Sequence, residues 1–159
     1  MKISHVIYKA NDLNKTIELF RGMGYNVEYG SKYNPHNALI YFSEGPYIEL
    51  LEKSPVSFFQ KLFLRLLGKS SIVKRFELWD DVSEGFFEIC LETKAAQFKK
   101  EETILRKNGK KYWITKSNRL DPYDRLLKWQ LLFPYDEQIP FMMTYFSVDP
   151  KPTSDTHAN

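Results

Sequence analysis

Ile3-Ser4-His5-Val6-Ile7-Tyr8-Lys9-Ala10, followed by Asn11-Asp12 and then Leu13, is the stretch whose reading decides the fold. It is rich in β-branched and aromatic residues, and strand alternation sets Ile3, His5 and Ile7 on one face, Ser4, Val6 and Tyr8 on the other. Asn11-Asp12 makes a good helix cap, because a short side-chain oxygen can accept from the orphan N–H groups of a first turn. Leu13, Ile17, Phe20 and Gly24 then recur at helical spacing, and Gly22 and Gly24 stop the helix. Extended runs are predicted over 25–29, 37–42 and 47–51, separated by Gly30-Ser31, Asn34-Pro35 and Ser43-Glu44-Gly45-Pro46. The first fifty residues thus read as strand, helix and three strands.

The same order returns later in the chain. A strand over 86–92 precedes a helix over 95–108, which Thr93 can cap and Asn108-Gly109 ends; extended runs follow over 111–116, 126–133 and 140–147. Between the two units, Val56, Phe59, Phe63 and Leu66-Leu67 recur at helical spacing with Gln60, Lys61, Arg65 and Lys69 interleaved. That pattern is an amphipathic helix with a basic side, suited to packing on its own domain, on a partner subunit or on a membrane surface. A second short helix is predicted over 70–81. The expected class is α+β: two paired βαβββ modules, 1–52 and 85–148, forming a curved mixed sheet around a cleft. A helical connector over 53–84 joins them, and a polar, loosely ordered tail covers 149–159.

Particular residues carry a family resemblance. Ile3-Ser4-His5-Val6-Ile7-Tyr8, Asp12-Leu13, Phe20-Arg21-Gly22-Met23-Gly24-Tyr25, the run from His36 to Phe42 and Tyr47-Ile48-Glu49-Leu50-Leu51 resemble the first module of the glyoxalase-like proteins of the vicinal oxygen chelate superfamily. Arg119, Pro122, Leu127, Trp129, Pro134 and Pro140-Phe141 resemble the second module, with Tyr123-Asp124 where an aspartate-glycine turn is usual. His157-Ala158-Asn159 looks like a histidine-proline-asparagine element with alanine in place of proline. The superfamily spans lyases, dioxygenases and non-catalytic binding proteins, so the resemblance speaks to fold before chemistry.

The resemblance implies a shared cleft in which each module offers one metal ligand from its first strand and one from its last. Carried onto this chain, those are His5 and Glu49, with Glu88 as a third donor. They would hold one divalent ion, Mn, Fe, Ni or Zn. Met143 falls at the fourth position, and a thioether is a poor ligand for a hard ion. A solvated edge carboxylate is the simpler reading of Glu49, since an unpaired buried carboxylate is costly.

Tyr41, Tyr47, Tyr112, Trp113 and Trp129 are candidate wall residues for a small organic ligand. Arg119 is either a two-point anchor for an anionic group or a solvated turn residue. Asn37 is expected to close the preceding turn, and Cys90 to be an inert buried thiol.

Composition narrows the classes. No run of eighteen apolar residues calls for a membrane span. One cysteine excludes an internal disulfide; with no charged-then-apolar leader, a cytoplasmic location is expected. The net charge of +3 comes from basic residues scattered among acids, so nucleic acid binding is not expected. A homodimer is admitted by the basic connector helix and the exposed sheet edges. Three functions stay open: a cleft that binds a small molecule without turnover, a metal-dependent lyase, isomerase or dioxygenase, and a drug-sequestering resistance protein.

Overall fold

The computed structural model describes residues 1–151 and 159. Its elements run β1 (Lys2–Lys9), α1 (Leu13–Gly22), β2 (Glu28–Tyr29), β3 (Asn37–Ile40), β4 (Tyr47–Leu51), α2 (Phe58–Leu66), α3 (Ser70–Asp81), β5 (Gly85–Thr93), α4 (Lys99–Lys107), β6 (Tyr112–Leu120), β7 (Leu126–Pro134) and β8 (Phe141–Thr144). The strands form one curled mixed sheet in the order β2-β3-β4-β1-β5-β8-β7-β6. At its centre β1 and β5 pair antiparallel, from Lys2 opposite Glu92 to Lys9 opposite Gly85. Outward from that seam each half repeats the other: first strand, last strand in parallel, then the two middle strands. The two stretches are paired βαβββ halves of a single α+β sheet.

Strand alternation divides each half into an inner and an outer face. On the outer face, Leu13, Ile17 and Phe20 of α1 pack against Ala38, Ile40 and Leu50. Phe98 and Leu105, which flank and belong to α4, pack against Leu132 and Met142 in the same way. Asp12 caps α1 by accepting from the backbone N–H of Lys15 at 3.1 Å. Helix α4 starts later than its sequence suggests. The Thr93 hydroxyl is engaged locally by the N–H of Ala95, and the first anchored turn carries Glu101 and Glu102, whose charges suit the N-terminal end of the helix dipole.

On the inner face the connector does something periodicity does not show. Ile72, Phe76 and Trp79 of α3 enter the hollow and join Ile7, Leu51, Phe133, Phe141 and Met143 in one core. Each such buried side chain contributes roughly 1.5–3 kcal/mol. Part of the hollow is therefore filled by the chain's own helix.

Two turns show their chemistry plainly. Gly24, not Gly22, takes the left-handed conformation after α1. Asp124 adopts φ +61° where the resemblance leads one to expect glycine, a conformation that aspartate tolerates better than most residues. At the start of the tail, Arg125 donates to the carbonyls of Asp149 and Pro150, and Lys151 to those of Phe42 and Ser43. Asn159 bonds to the backbone of Asn26 and Tyr41, while His157 and Ala158 lie outside the described residues. Among the described residues no helix is long and apolar enough to cross a membrane.

Candidate functional site

What α3 leaves of the hollow is a cavity of about 290 Å³. Residues from both halves line it: His5, Tyr47 and Glu49 from the first, Arg119, Trp129 and Phe141 from the second, with Trp79 of α3 closing one side. Adjacent strands bring His5 and Glu49 together, β1 and β4 being parallel with Tyr47 opposite His5 and Glu49 opposite Ile7. His5 Nε2 lies 3.2 Å from Glu49 Oε2. The imidazole stacks on Tyr47 at 4.6 Å between centroids and meets the edge of Phe141. With Glu49 ionised, Nε2 carries the hydrogen of that contact. On the other side, His5 Nδ1 is 3.2 Å from the Ser4 hydroxyl, which also lies 3.4 Å from Met143 Sδ.

Glu49 is not the solvated edge residue its sequence suggests. Its second oxygen accepts from Asn37 Nδ2 at 2.5 Å. Burial by itself raises the Glu49 carboxyl, but the hydrogen bonds and charges of His5, with Asn37 and Arg119, outweigh it and hold the group below its ordinary value. Asn37 therefore does more than close a turn. Its backbone carbonyl accepts from Gly30, while its side chain holds Glu49. Gly30 makes this possible: a Cβ there would lie 2.1 Å from Asn37 Oδ1 and 2.9 Å from an Arg119 guanidinium nitrogen.

Arg119 lies on β6, opposite Leu127, rather than in a turn. Its guanidinium sits over the rings of Trp129 and Phe146, at 5.8 and 5.9 Å. Its Nε is buried without a hydrogen-bond partner, and no carboxylate of the described residues forms an ion pair with it. Burial pushes the Tyr47 hydroxyl well above its ordinary value, so it stays a neutral phenol.

Other sequence candidates lie elsewhere. Tyr112 is outside the cavity, donating to Glu102 at 2.7 Å and accepting from Arg106. Trp113 packs beside the inner core beneath Lys69, and Tyr41 is buried beside Tyr47 without lining the cavity. Glu88 does not reach His5 and Glu49. It accepts from Arg75 at 2.9 Å and from the Trp79 indole at 3.1 Å, and faces Ile7 across the central seam. In the sheet register Cys90, opposite Phe141, stands as His5 does opposite Tyr47. Met143 stands opposite Glu92 as Glu49 stands opposite Ile7. Burial raises the Cys90 thiol well above its ordinary value, so it is held protonated.

These donors do not fit a divalent ion. His5 and Glu49 satisfy each other, Glu88 is taken by Arg75, and the second half offers a thioether and a protonated thiol. Among the described residues no group of three or more His, Cys, Asp or Glu side chains is placed to hold a metal. Trp79, Phe133, Phe141, Phe146 and His36 line the cavity and were not among the wall residues expected from the sequence. For the four aromatic residues, strand and helix spacing marks only an apolar face, without saying that the face borders a void.

Two βαβββ halves joined edge to edge about a common hollow define a paired-module protein. The chain belongs to the glyoxalase-like domain family, whose model matches residues 3–159. The fold is similar to that in the crystal structure of a hypothetical protein from Staphylococcus aureus, with a TM-score of 0.67 and 23% identity. The match covers 93% of this chain and 60% of that one, so this chain spans less than two thirds of its length. No curated relative matches the sequence.

Proposed function

We propose that the protein binds a small organic anion in the cavity between its two halves, without an intrinsic metal centre. The observation that carries this reading is Arg119: a guanidinium over two aromatic rings, facing an apolar-walled cavity, with no acid of the described residues paired to it. A carboxylate or phosphonate would supply the missing two-point partner. The apolar body would lie among Trp129, Leu131, Phe133 and Phe141, with Tyr47 stacked on His5 at the other wall. The Glu49 carboxylate, held ionised, would repel an anion, so the anionic group belongs on the Arg119 guanidinium and a neutral donor beside Glu49. A volume of about 290 Å³ is at the lower limit of ligand pockets, so the occupant is small.

The test is thermal-shift screening followed by calorimetry against small aromatic and aliphatic carboxylates and phosphonates, each with its neutral amide or ester. The expected result is binding by members of the anionic set alone, weakened at least tenfold in Arg119→Met. Equal binding of neutral analogues, or affinity unchanged in Arg119→Met, overturns it. The metal-dependent reading rests on His5 and Glu49 alone. Protein purified without chelator is expected to carry far less than one equivalent of Mn, Fe, Ni or Zn, and a full equivalent lost in His5→Ala would restore that reading. Sequestration of a drug is the case of this binding in which expression protects cells against an antibiotic. A reducing cytoplasm suits the single buried thiol.

A further inference from the structure

Helix α2 is turned the wrong way for a lone molecule. Of its nine residues only Leu64 is buried. Phe58, Phe59, Leu62, Phe63 and Leu66, with Leu67 at the C-cap, are between 46% and 79% exposed. The cations of this stretch turn toward their own chain instead. Lys61 pairs with Asp80, and Arg65 with Glu77, both on α3, while the Lys69 ammonium lies over the Trp113 ring. The helix is held firmly in this orientation. A Ser57–Gln60 capping box closes its N-terminus, and Asp80 also accepts from the Ser54 backbone at 2.7 Å.

We propose that this face is the self-association surface of the protein and that its occupant is the α2 face of a second copy. Three observations favour that occupant, and none depends on the cavity reading. The first is area. At the 150–250 Å² an aromatic side chain offers, and less for leucine, the exposed fractions amount to roughly 600–800 Å² of largely apolar surface, close to what one partner contributes to a stable interface. That reaches or exceeds the upper end of the apolar patch of roughly 300–600 Å² typical of a monomer.

The second is shape. Phe58-Leu62-Leu66 and Phe59-Phe63-Leu67 are two parallel rows at a spacing of four, and such ridges interdigitate when two helices cross at about −50°. A two-fold axis through the patch would set each row into the groove of the other copy. The third is charge. The three cations between 58 and 69 are already engaged within the chain, so the helix lacks the free basic rim with which an interfacial helix grips anionic lipid.

Sedimentation equilibrium of the full chain across the micromolar range tests this. The expected result is twice the monomer mass, with Phe59→Glu/Phe63→Glu weakening association at least thirtyfold, as truncation of a central aromatic anchor does. Ile104→Glu, at an exposed apolar position on α4, should leave the dimer unchanged. Hydrogen exchange on the unmodified protein gives an independent reading, since amides over 58–67 should become more protected as concentration rises. A monomer at all concentrations overturns the proposal, and so does a dimer undisturbed by the double substitution. A monomer that sediments with phosphatidylcholine vesicles overturns it in favour of a membrane occupant.

Discussion

Glu49 shows how one residue's surroundings set a pH dependence. The carboxylate lies at the cavity wall with His5 on one oxygen and Asn37 on the other, and its pKa in the folded protein is below that of the free side chain. A depressed carboxyl contributes stability that is fully present above the unfolded value near 4.5 and is lost as pH falls through the folded value. Glu49→Gln keeps the shape and removes the charge. We expect it to cost roughly 1–2 kcal/mol at pH 7, with the gap to the unsubstituted protein narrowing as pH falls below that range. Urea melts of both proteins from pH 7 to pH 3 measure this, and a constant gap would mean that Glu49 contributes nothing through its charge. The family resemblance, not the strand pattern, put Glu49 and His5 on adjacent strands of one half, as β1 and β4 are. It did not contain Asn37 as the third member, because that bond depends on a loop brought close by the bare backbone of Gly30.

Helix α3 depends on one buried cation. Arg75, with only 2% of its side chain exposed, donates to Glu88 on β5 and to the carbonyls of Pro134 and Ile139. The Trp79 indole, one turn further on, donates to the same carboxylate. Together they tie the connector to the second half and seat Ile72, Phe76 and Trp79 in the hollow. Removing one partner of such a pair leaves the other charged and buried, which typically costs about 3–5 kcal/mol. Arg75→Met should therefore destabilise by that amount in chemical denaturation, whereas a loss below about 1 kcal/mol would mean that packing alone holds α3 in place. The span of α3 was legible in its apolar spacing. Its direction was not, since the strand partner Glu88 lies thirteen residues beyond Arg75 and looked like a candidate ligand in its own right.

The two halves share their core as well as their sheet. Ile7 and Leu51 of the first pack with Phe133 and Phe141 of the second around α3, and β1 and β5 form the central seam. Neither half can unfold without exposing apolar surface of the other, so a single cooperative transition is expected. The chain offers its own test. Trp79, Trp113 and Trp129 all lie beyond the first half, so tryptophan fluorescence reports on the connector and second half while far-ultraviolet circular dichroism reports on everything. The two melts should coincide. A circular dichroism transition preceding the fluorescence change would show the first half unfolding alone.

The sequence by itself determined the duplicated strand-helix-strand order and the faces of the strands, because periodicity and turn chemistry are local and each half repeats them; His5 and Glu49 were brought together only through the family resemblance, as metal ligands rather than as partners of each other. Only the tertiary structure decided which apolar faces border empty space and which are filled. The entry of α3 into the hollow, the capture of Glu88 by Arg75, the placement of Tyr112 outside the cavity and the outward turn of α2 all depend on contacts between different elements of the fold. The pattern of a helix records that it has an apolar side; what that side meets is a property of the assembled molecule.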